Sequence, residues 1–180
     1  LKKNNGAAST FGYILSEGKN SKSGDFFRVN SRKFSLLGDP SQPISMPKYQ
    51  VVTSKVNGID AMTADTLNAL ERVTISGYIA DDDGQKISNF NGTIYPTVFD
   101  KKSTFQTLSN DENSPKFTFT MYRNILFKGA ATVANGEWKF SFWVPKNINY
   151  TYGTGRISYY ATDGNVIDAA GVFSNFMVGG

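Results

Sequence analysis

The stretch EWKFSFWVP, residues 137–145, alternates between large apolar and mostly polar side chains. Successive side chains of a β-strand point to opposite faces of the sheet, so residues two apart share a face. One face would carry Trp138, Phe140, Phe142 and Val144, and the other Glu137, Lys139, Ser141 and Trp143. The pattern predicts a strand whose first face lies in a hydrophobic core.

Trp143 is the unusual residue of this stretch because it falls on the polar face. A large exposed indole is typical of a contact surface. Three interpretations are open: the strand end twists Trp143 into the core, the ring is a platform for a sugar, or it contacts another domain. We predict that Trp143 contacts another domain.

Similar strand patterns recur on both sides of residues 137–145. The pair Asn57-Gly58 between β-prone runs predicts a hairpin. Further strands are predicted in ERVTISGYIA, GTIYPTVFD, KFTFTMY, ILFKGAATV, GRISYYAT and GVFSNFMVG. Turn pairs that tolerate a positive φ separate several of them, including Asp83-Gly84 and Asn135-Gly136. Seven or eight short strands with such turns predict a mainly β fold, an immunoglobulin-like antiparallel β-sandwich.

The first quarter of the chain has a different pattern. Phe11, Ile14 and Leu15 have helical spacing, and Ser9 or Thr10 is suited to be the N-cap. The segment RKFSLLGDPSQPISMPKY, residues 32–49, then predicts a short strand followed by a connector, because its three prolines remove backbone donors. A helix and one strand cannot enclose a core. We therefore predict two domains, residues 1–47 and residues 48–180.

The charge distribution changes near the same connector. Residues 1–50 contain eight Lys or Arg residues against three acidic ones, whereas the rest of the chain has eleven against twelve. The basic residues are scattered and accompany no nucleic-acid motif, so we expect no nucleic-acid partner. No stretch approaches the roughly 18 to 20 apolar residues of a membrane-spanning helix. Because the chain begins with Leu1 rather than Met, we expect it to be processed or part of something longer.

The composition excludes several kinds of site within these residues. The chain has no Cys and no His, so it has no disulfide, no Cys/His zinc site, no Cys/His dyad and no Ser/His/Asp triad. Asp81, Asp82 and Asp83 precede Gly84, which leaves open a solvated acidic turn or a calcium site. We predict no catalytic residue, no cofactor and no resident metal.

Two parts of the sequence resemble the gingipain-like cysteine peptidases. The segment NSRKFSLLGDPSQPISMPKY is similar to the end of their catalytic domain, where a Leu-Leu-Gly-Asp-Pro segment, here Leu36, Leu37, Gly38, Asp39 and Pro40, precedes an immunoglobulin-like domain. The stretches ALERVTISGYIADDDGQKISNFNGTIYPTVFDK, NILFKGAATVANGEWKFSFWVPKNINYTYGTGRISYYATD and SNFMVGG resemble the sortases of the bacterial type IX secretion system, within the same family. The resemblance covers nearly the whole chain from about Phe11.

The resemblance implies a role for each part of the chain. Residues 32–37 would be the last strand of a caspase-like α/β domain whose catalytic Cys and His lie upstream. The longer parent would remove C-terminal sorting domains from exported cargo and join the cargo to an anionic lipopolysaccharide. The implied partners are the upstream catalytic domain of the same chain, other secretion components and exported cargo. The implied location is the bacterial cell surface, in association with the outer membrane.

Two functions therefore compete. One is a noncatalytic accessory region of a sortase. The Leu36–Pro40 motif favours it, and so does the predicted N-terminal helix, which has no core of its own to pack against. The other is a cell-surface adhesin or carbohydrate-binding module, which Trp143 and four tyrosines could serve: Tyr150, Tyr152, Tyr159 and Tyr160. We predict the sortase accessory region.

Overall fold

The computed structural model describes residues 9–20, 32–44, 46–64 and 66–180. The chain divides into two compact units, Leu1–Met46 and Pro47–Gly180. The nature of these units, a remnant of a catalytic domain and an immunoglobulin-like domain, stays a prediction. None of the helices in the described part is long and apolar enough to cross a membrane.

The first unit contains the predicted helix, α1 (Phe11–Asn20). The Thr10 hydroxyl accepts a hydrogen bond from the Tyr13 amide at 3.3 Å, which identifies Thr10 as the N-cap. The first amides of a helix have no partner within the helix. Here Phe11 and Gly12 donate to the carbonyl oxygens of Gln42 and Pro40, at 3.1 and 2.9 Å. The proline-rich connector therefore supplies hydrogen-bond acceptors for the first amides of the helix.

The strand predicted for residues 32–37 is wrong. Residues 34–37 belong to no helix or strand, and the side chain of Leu37 is 97% exposed. A short apolar run becomes a strand only where a neighbouring strand accepts its backbone hydrogen bonds. In the described residues of the first unit, no strand adjoins this run.

The second unit is built from strands, so the predicted mainly β character is confirmed. One turn of 3₁₀ helix, η1 (Ala61–Thr63), follows the second strand. The strands of the described part are β1 (Tyr49–Val56), β2 (Ile59–Asp60), β3 (Thr66–Leu67), β4 (Arg72–Ala80), β5 (Gly92–Phe99), β6 (Ser103–Gln106), β7 (Thr118–Met121), β8 (Ile125–Lys128), β9 (Ala131–Ala134), β10 (Glu137–Trp143), β11 (Gly153–Thr154), β12 (Arg156–Thr162), β13 (Asp168–Phe173) and β14 (Met177–Val178).

Seven of these strands form a closed ring. Their hydrogen-bonded order is β1, β4, β10, β9, β5, β12, β13 and back to β1. Six of the seven pairings are antiparallel, and β1 and β13 are parallel through Tyr49 with Ala169 and Gln50 with Ala170. One edge of β5 is shared, because β9 pairs with its first half and β8 with its second half. The sheet is therefore a seven-stranded barrel.

The barrel differs from the predicted antiparallel sandwich of two separate sheets. Two joins close it, β9 with β5 and the parallel pair of β1 with β13. Alternation of side chains reports which residues face the core, but it is the same for a sandwich and for a barrel. The sequence pattern could not distinguish the two.

The barrel interior is filled by the faces that the alternation predicted. Trp138, Phe140, Phe142 and Val144 are all buried. The ring of Phe127, a residue of β8, stacks on Phe142 with ring centroids 5.0 Å apart. On β4, Gly77 allows close packing, because a Cβ there would lie 1.9 Å from the Val52 carbonyl oxygen. The core prediction for β10 is confirmed.

Two smaller sheets lie outside the barrel ladder. Strands β11, β14 and β3 form a three-stranded sheet. Strands β6 and β7, inserted between β5 and β8, form a two-stranded hairpin with Phe105 opposite Phe119. The hairpin predicted at Asn57-Gly58 joins β1 and β2, and both residues have the positive φ, 50° and 82°, that such a turn needs.

Candidate functional site

A buried ion pair marks the end of β5. Asp100 is the one charged or polar residue that is fully buried in the described part of the chain. Its Oδ1 accepts from the Lys101 ammonium at 2.9 Å and from the Lys101 amide at 2.8 Å. The ammonium also donates to the Asn149 carbonyl oxygen at 2.6 Å, and the Asp100 amide donates to the Asn124 carbonyl oxygen at 2.9 Å. The pair thus ties together three segments of the chain, and its polar groups are well satisfied.

A cleft of about 820 Å³ opens beside this ion pair. Its lining is polar and apolar in about equal parts, and it includes Lys102, Ser103, Thr104, Tyr122, Asn124, Thr151, Tyr152 and Thr154. The cleft begins where β5 ends and where the β6–β7 hairpin emerges. Hydrogen-bond donors and aromatic rings in such a cleft can bind a polar ligand.

Cations cluster around Tyr122 at the edge of the cleft. The Lys102 ammonium lies 5.4 Å from the centroid of the Tyr122 ring, and the Arg156 guanidinium lies 5.7 Å from it. Among the described residues, neither cation has a carboxylate within 4.0 Å, and the buried Arg156 Nε has no hydrogen-bond partner. Of these two cations, Lys102 lines the cleft and gives its edge a positive charge.

The hairpin beside the cleft carries aromatic residues on its surface. Phe105 and Phe119 stack across the two strands with centroids 5.9 Å apart, and Phe117 stacks on Phe119 at 6.5 Å. The strand predicted in KFTFTMY is confirmed as β7, but its predicted place in the sandwich is wrong, because β7 pairs with β6 outside the barrel. The available signal was the alternation of apolar and polar residues within KFTFTMY, which pairs with STFQ. This alternation did not reveal that the apolar face of the hairpin lies at the surface.

Trp143 lies at the end of β10, opposite Arg72 of β4. Its side chain is 67% exposed, so the interpretation that a strand twist buries it in the core is wrong. Trp143 does not line the cleft. Its predicted role as an interdomain contact stays a prediction.

The Leu36–Pro40 motif forms an exposed turn in the first unit. The Asp39 carboxylate accepts from the Ser41 hydroxyl at 2.7 Å and from the Ser41 amide at 2.8 Å. These hydrogen bonds, that of the hydroxyl first, hold the pKa of Asp39 below its usual value. The Pro40 carbonyl oxygen accepts a hydrogen bond from the Gly12 amide at the start of α1. Whether this turn is the exit of a catalytic domain stays a prediction.

The acidic turn after β4 is organised by backbone groups. The Asp81 carboxylate accepts from the amides of Asp83 and Gln85, at 3.0 and 2.8 Å. In the described ranges, no group of three or more Asp, Glu, His or Cys residues is arranged to hold a metal ion. The contacts of Asp81 are those of an Asx turn.

The four tyrosines considered for sugar binding do not form one surface. Tyr159 is buried in the barrel core, where its hydroxyl lies 2.8 Å from Thr53 Oγ1. Tyr160 is on the outside, where it stacks on Tyr95 and donates to Asp168 at 2.9 Å. The donated hydrogen bond raises the pKa of Tyr160. Of the four, Tyr152 lines the cleft.

Comparison with solved structures identifies proteins that this chain is similar to. No family model matches the chain, and a search of curated proteins finds no match. Among solved structures, the dimeric latent PorU from Porphyromonas gingivalis is 30% identical with a TM-score of 0.67 over 99% of this chain and 17% of that chain. The sporulation control protein Spo0M from Bacillus subtilis is 15% identical with a TM-score of 0.41, over 75% of this chain and 51% of that one.

The chain thus spans about a sixth of the length of the PorU chain that it matches, 17%. The match nevertheless includes almost every residue of this chain, in both units. The same comparison therefore shows both sequence similarity and a similar fold. The resemblance found in the sequence is thereby confirmed: over nearly its whole length, this chain is similar to PorU and resembles its C-terminal region.

Proposed function

We propose that this chain is a noncatalytic accessory region of a type IX secretion sortase, a gingipain-like cysteine peptidase that processes the C-terminal sorting domains of exported proteins. The observation that carries this proposal is the similarity to PorU over 99% of the chain. Since one fold hosts many functions, the proposal depends on the sequence identity that accompanies the fold match.

The composition supports a noncatalytic role. A cysteine peptidase needs a thiolate nucleophile and normally an imidazole that activates it. The chain has no Cys and no His. Lys101 Nζ is engaged as a hydrogen-bond donor to Asp100 and to the Asn149 carbonyl oxygen. The catalytic residues of the parent would therefore lie in its upstream domain.

We also propose that the second unit is an immunoglobulin-like fold whose two sheets have joined. In chain order, β1, β4, β5, β9, β10, β12 and β13 would be strands A to G. Their pairings then read A-B-E-D and C-F-G, the order of immunoglobulin constant-type domains. Amide hydrogen exchange tests this: the joins of β9 with β5 and of β1 with β13 should exchange faster than the pairings within each sheet.

The accessory role would be exerted at the bacterial cell surface, next to the outer membrane. There the region would support the catalytic domain of the same parent, with exported cargo and other secretion components as further partners. Trp143 is the proposed contact with that domain, because it is a large exposed indole at a strand end.

Peptidase assays test the proposal directly. The purified chain, the full-length parent and a parent truncated after the residue equivalent to Pro47 are incubated with a cargo protein that carries a sorting domain. We expect no cleavage by the chain alone, cleavage by the parent, and reduced cleavage by the truncated parent.

Two outcomes would contradict the proposal. Cleavage by the chain alone would refute the noncatalytic role. Full activity and normal folding of the truncated parent would remove the supporting role. In that second case, binding of the chain to immobilised oligosaccharides would favour the adhesin or carbohydrate-binding alternative, for which Tyr152 in the cleft is the residue to substitute.

A further inference from the structure

The β6–β7 hairpin is built without a core of its own. Its cross-strand pairs run from Ser103 with Met121 to Gln106 with Thr118, and every residue of β7 is exposed. None of its residues belongs to the barrel core. An isolated two-stranded hairpin is at best marginally stable in water, so a partner that covers it would stabilise it.

One face of the hairpin is aromatic. Phe105, Phe117 and Phe119 stack in a row on this face, and Phe117 is 65% exposed. Exposed Met121 precedes Tyr122, whose ring forms part of the cleft. A contiguous exposed aromatic patch of this kind is typical of a protein interaction surface.

Both outer edges of the hairpin are open. In the part of the chain that the structure describes, β6 and β7 pair with each other and with no third strand. An open edge presents unpaired backbone N–H and C=O groups, which can accept an added strand from another protein. The hairpin thus combines backbone groups for pairing with apolar side chains for packing.

Two cations, Lys102 and Arg123, lie at the base of the hairpin. Lys102 precedes β6 and Arg123 follows β7 by two residues, and each cation lies over a ring, 5.4 Å from the Tyr122 centroid and 5.5 Å from the Phe105 centroid. Neither has a carboxylate within 4.0 Å among the described residues. The acidic residues of the hairpin, Asp111 and Glu112, lie instead in the loop between the strands. The base of the hairpin is therefore complementary to acidic side chains.

We propose that the β6–β7 hairpin is a docking site for an extended acidic segment of a partner protein, which adds to the hairpin as a third strand. Backbone pairing along β6 or β7 would hold the segment. Its apolar side chains would pack on Phe105, Phe117 and Phe119, and its carboxylates would approach Lys102 and Arg123. This inference does not depend on the proposed sortase function.

Peptide binding by the full chain tests the inference. The probe is a fluorescently labelled eight-residue peptide that alternates Val and Glu, with a Val-Lys peptide and an N-methylated Val-Glu peptide as comparisons. We expect the Val-Glu peptide to bind at least tenfold more tightly than either. The Lys peptide lacks charge complementarity, and N-methylation blocks strand pairing. Hydrogen exchange should slow in residues 103–106 or 118–121.

Substitutions in the chain locate the site. The double variant K102Q/R123Q should bind the Val-Glu peptide about tenfold more weakly, since each exposed ion pair contributes a few-fold to the affinity. Phe119→Thr should weaken binding as well. Lys139→Gln, on the exposed face of β10, is the matched control and should leave binding unchanged. Unchanged thermal unfolding of all variants checks that the barrel is intact.

Several results would overturn the inference. One is no binding of the Val-Glu peptide at millimolar concentration, and another is equal binding of the Val-Lys peptide. Protection from exchange at Trp143 rather than in the hairpin would also contradict it. If the chain instead forms a dimer that Phe119→Thr dissociates, the hairpin is covered by a second copy and not by an acidic segment.

Discussion

Replacing Trp138 by Ala should destabilise the barrel much more than replacing Trp143 by Ala, although the two residues are on the same strand. Trp138 is 3% exposed and packs on Phe140 and Tyr159, with ring centroids 5.9 and 5.1 Å apart. Removing a fully buried Trp costs about 3–5 kcal/mol. The Trp138 Nε1–H has no hydrogen-bond partner among the described residues. Because the substitution also removes this unpaired donor, we expect the lower end, about 3 kcal/mol.

The expected cost at Trp143 follows from its exposure of 67%. About a third of an aromatic surface of roughly 200 Å² is then buried, which at about 25 cal/mol per Å² is at most about 1.7 kcal/mol. Ala retains part of that contact and the unfolded chain is partly compact, so we expect about 1 kcal/mol.

Urea unfolding measures both costs, with tryptophan emission as the signal. The chain has two Trp residues, so each variant keeps a single indole. The indole that remains in Trp143→Ala is buried and should emit at shorter wavelengths than the exposed one that remains in Trp138→Ala. Trp138→Phe is the control: it keeps a ring and removes the unpaired donor, so it should cost less than half as much as Trp138→Ala. Equal costs for the two Ala variants would refute the assignment of opposite faces.

Two further changes probe the interior of the barrel. Gly77→Ala should cost more than about 2 kcal/mol, measured by thermal unfolding, because its Cβ would lie 1.9 Å from the Val52 carbonyl oxygen and 2.5 Å from the Trp138 ring; an unchanged melting temperature would contradict the close packing of β1 on β4. Burial raises the pKa of the Tyr159 hydroxyl above its ordinary value of 10.0, so its contribution to stability is present below pH 10 and is lost as the pH rises above it. Tyr159→Phe should cost about 1 kcal/mol at neutral pH, because the hydrogen bond to Thr53 is lost. Above pH 10 the variant should lose less stability than the unsubstituted chain, and parallel pH profiles of the two proteins would show that Tyr159 is not the titrating group.

The features that the sequence predicted correctly are those that depend on residues close together in the chain. The faces of β10 and the Asn57-Gly58 hairpin were predictable, because alternation and turn conformation involve only neighbouring residues. The α1 helix was predictable from its spacing and from the Thr10 cap. The exposure of Trp143 agrees with its place on the polar face of β10.

The candidate site was much harder to predict than these elements. Asp100 and Lys101 look like ordinary loop residues in the sequence, and their importance comes from Asn124 and Asn149, which are distant along the chain. The aromatic hairpin looked like a core strand, because Phe117 and Phe119 alternate as core residues do. Tyr159 and Tyr160 are adjacent in the sequence, yet one is in the core and the other is outside.

The sequence by itself determined that this chain is mainly β, which residues of β10 face inward, and where several of the tight turns lie. It also excluded thiol and imidazole chemistry within these residues, since composition needs no structure. The tertiary structure alone decided that the sheet closes into a barrel and that residues 34–37 form no strand. It also decided that β6 and β7 pair with no third strand of the described residues. The physical reason is that side-chain alternation depends on one strand, whereas backbone hydrogen bonding depends on which strand becomes its neighbour.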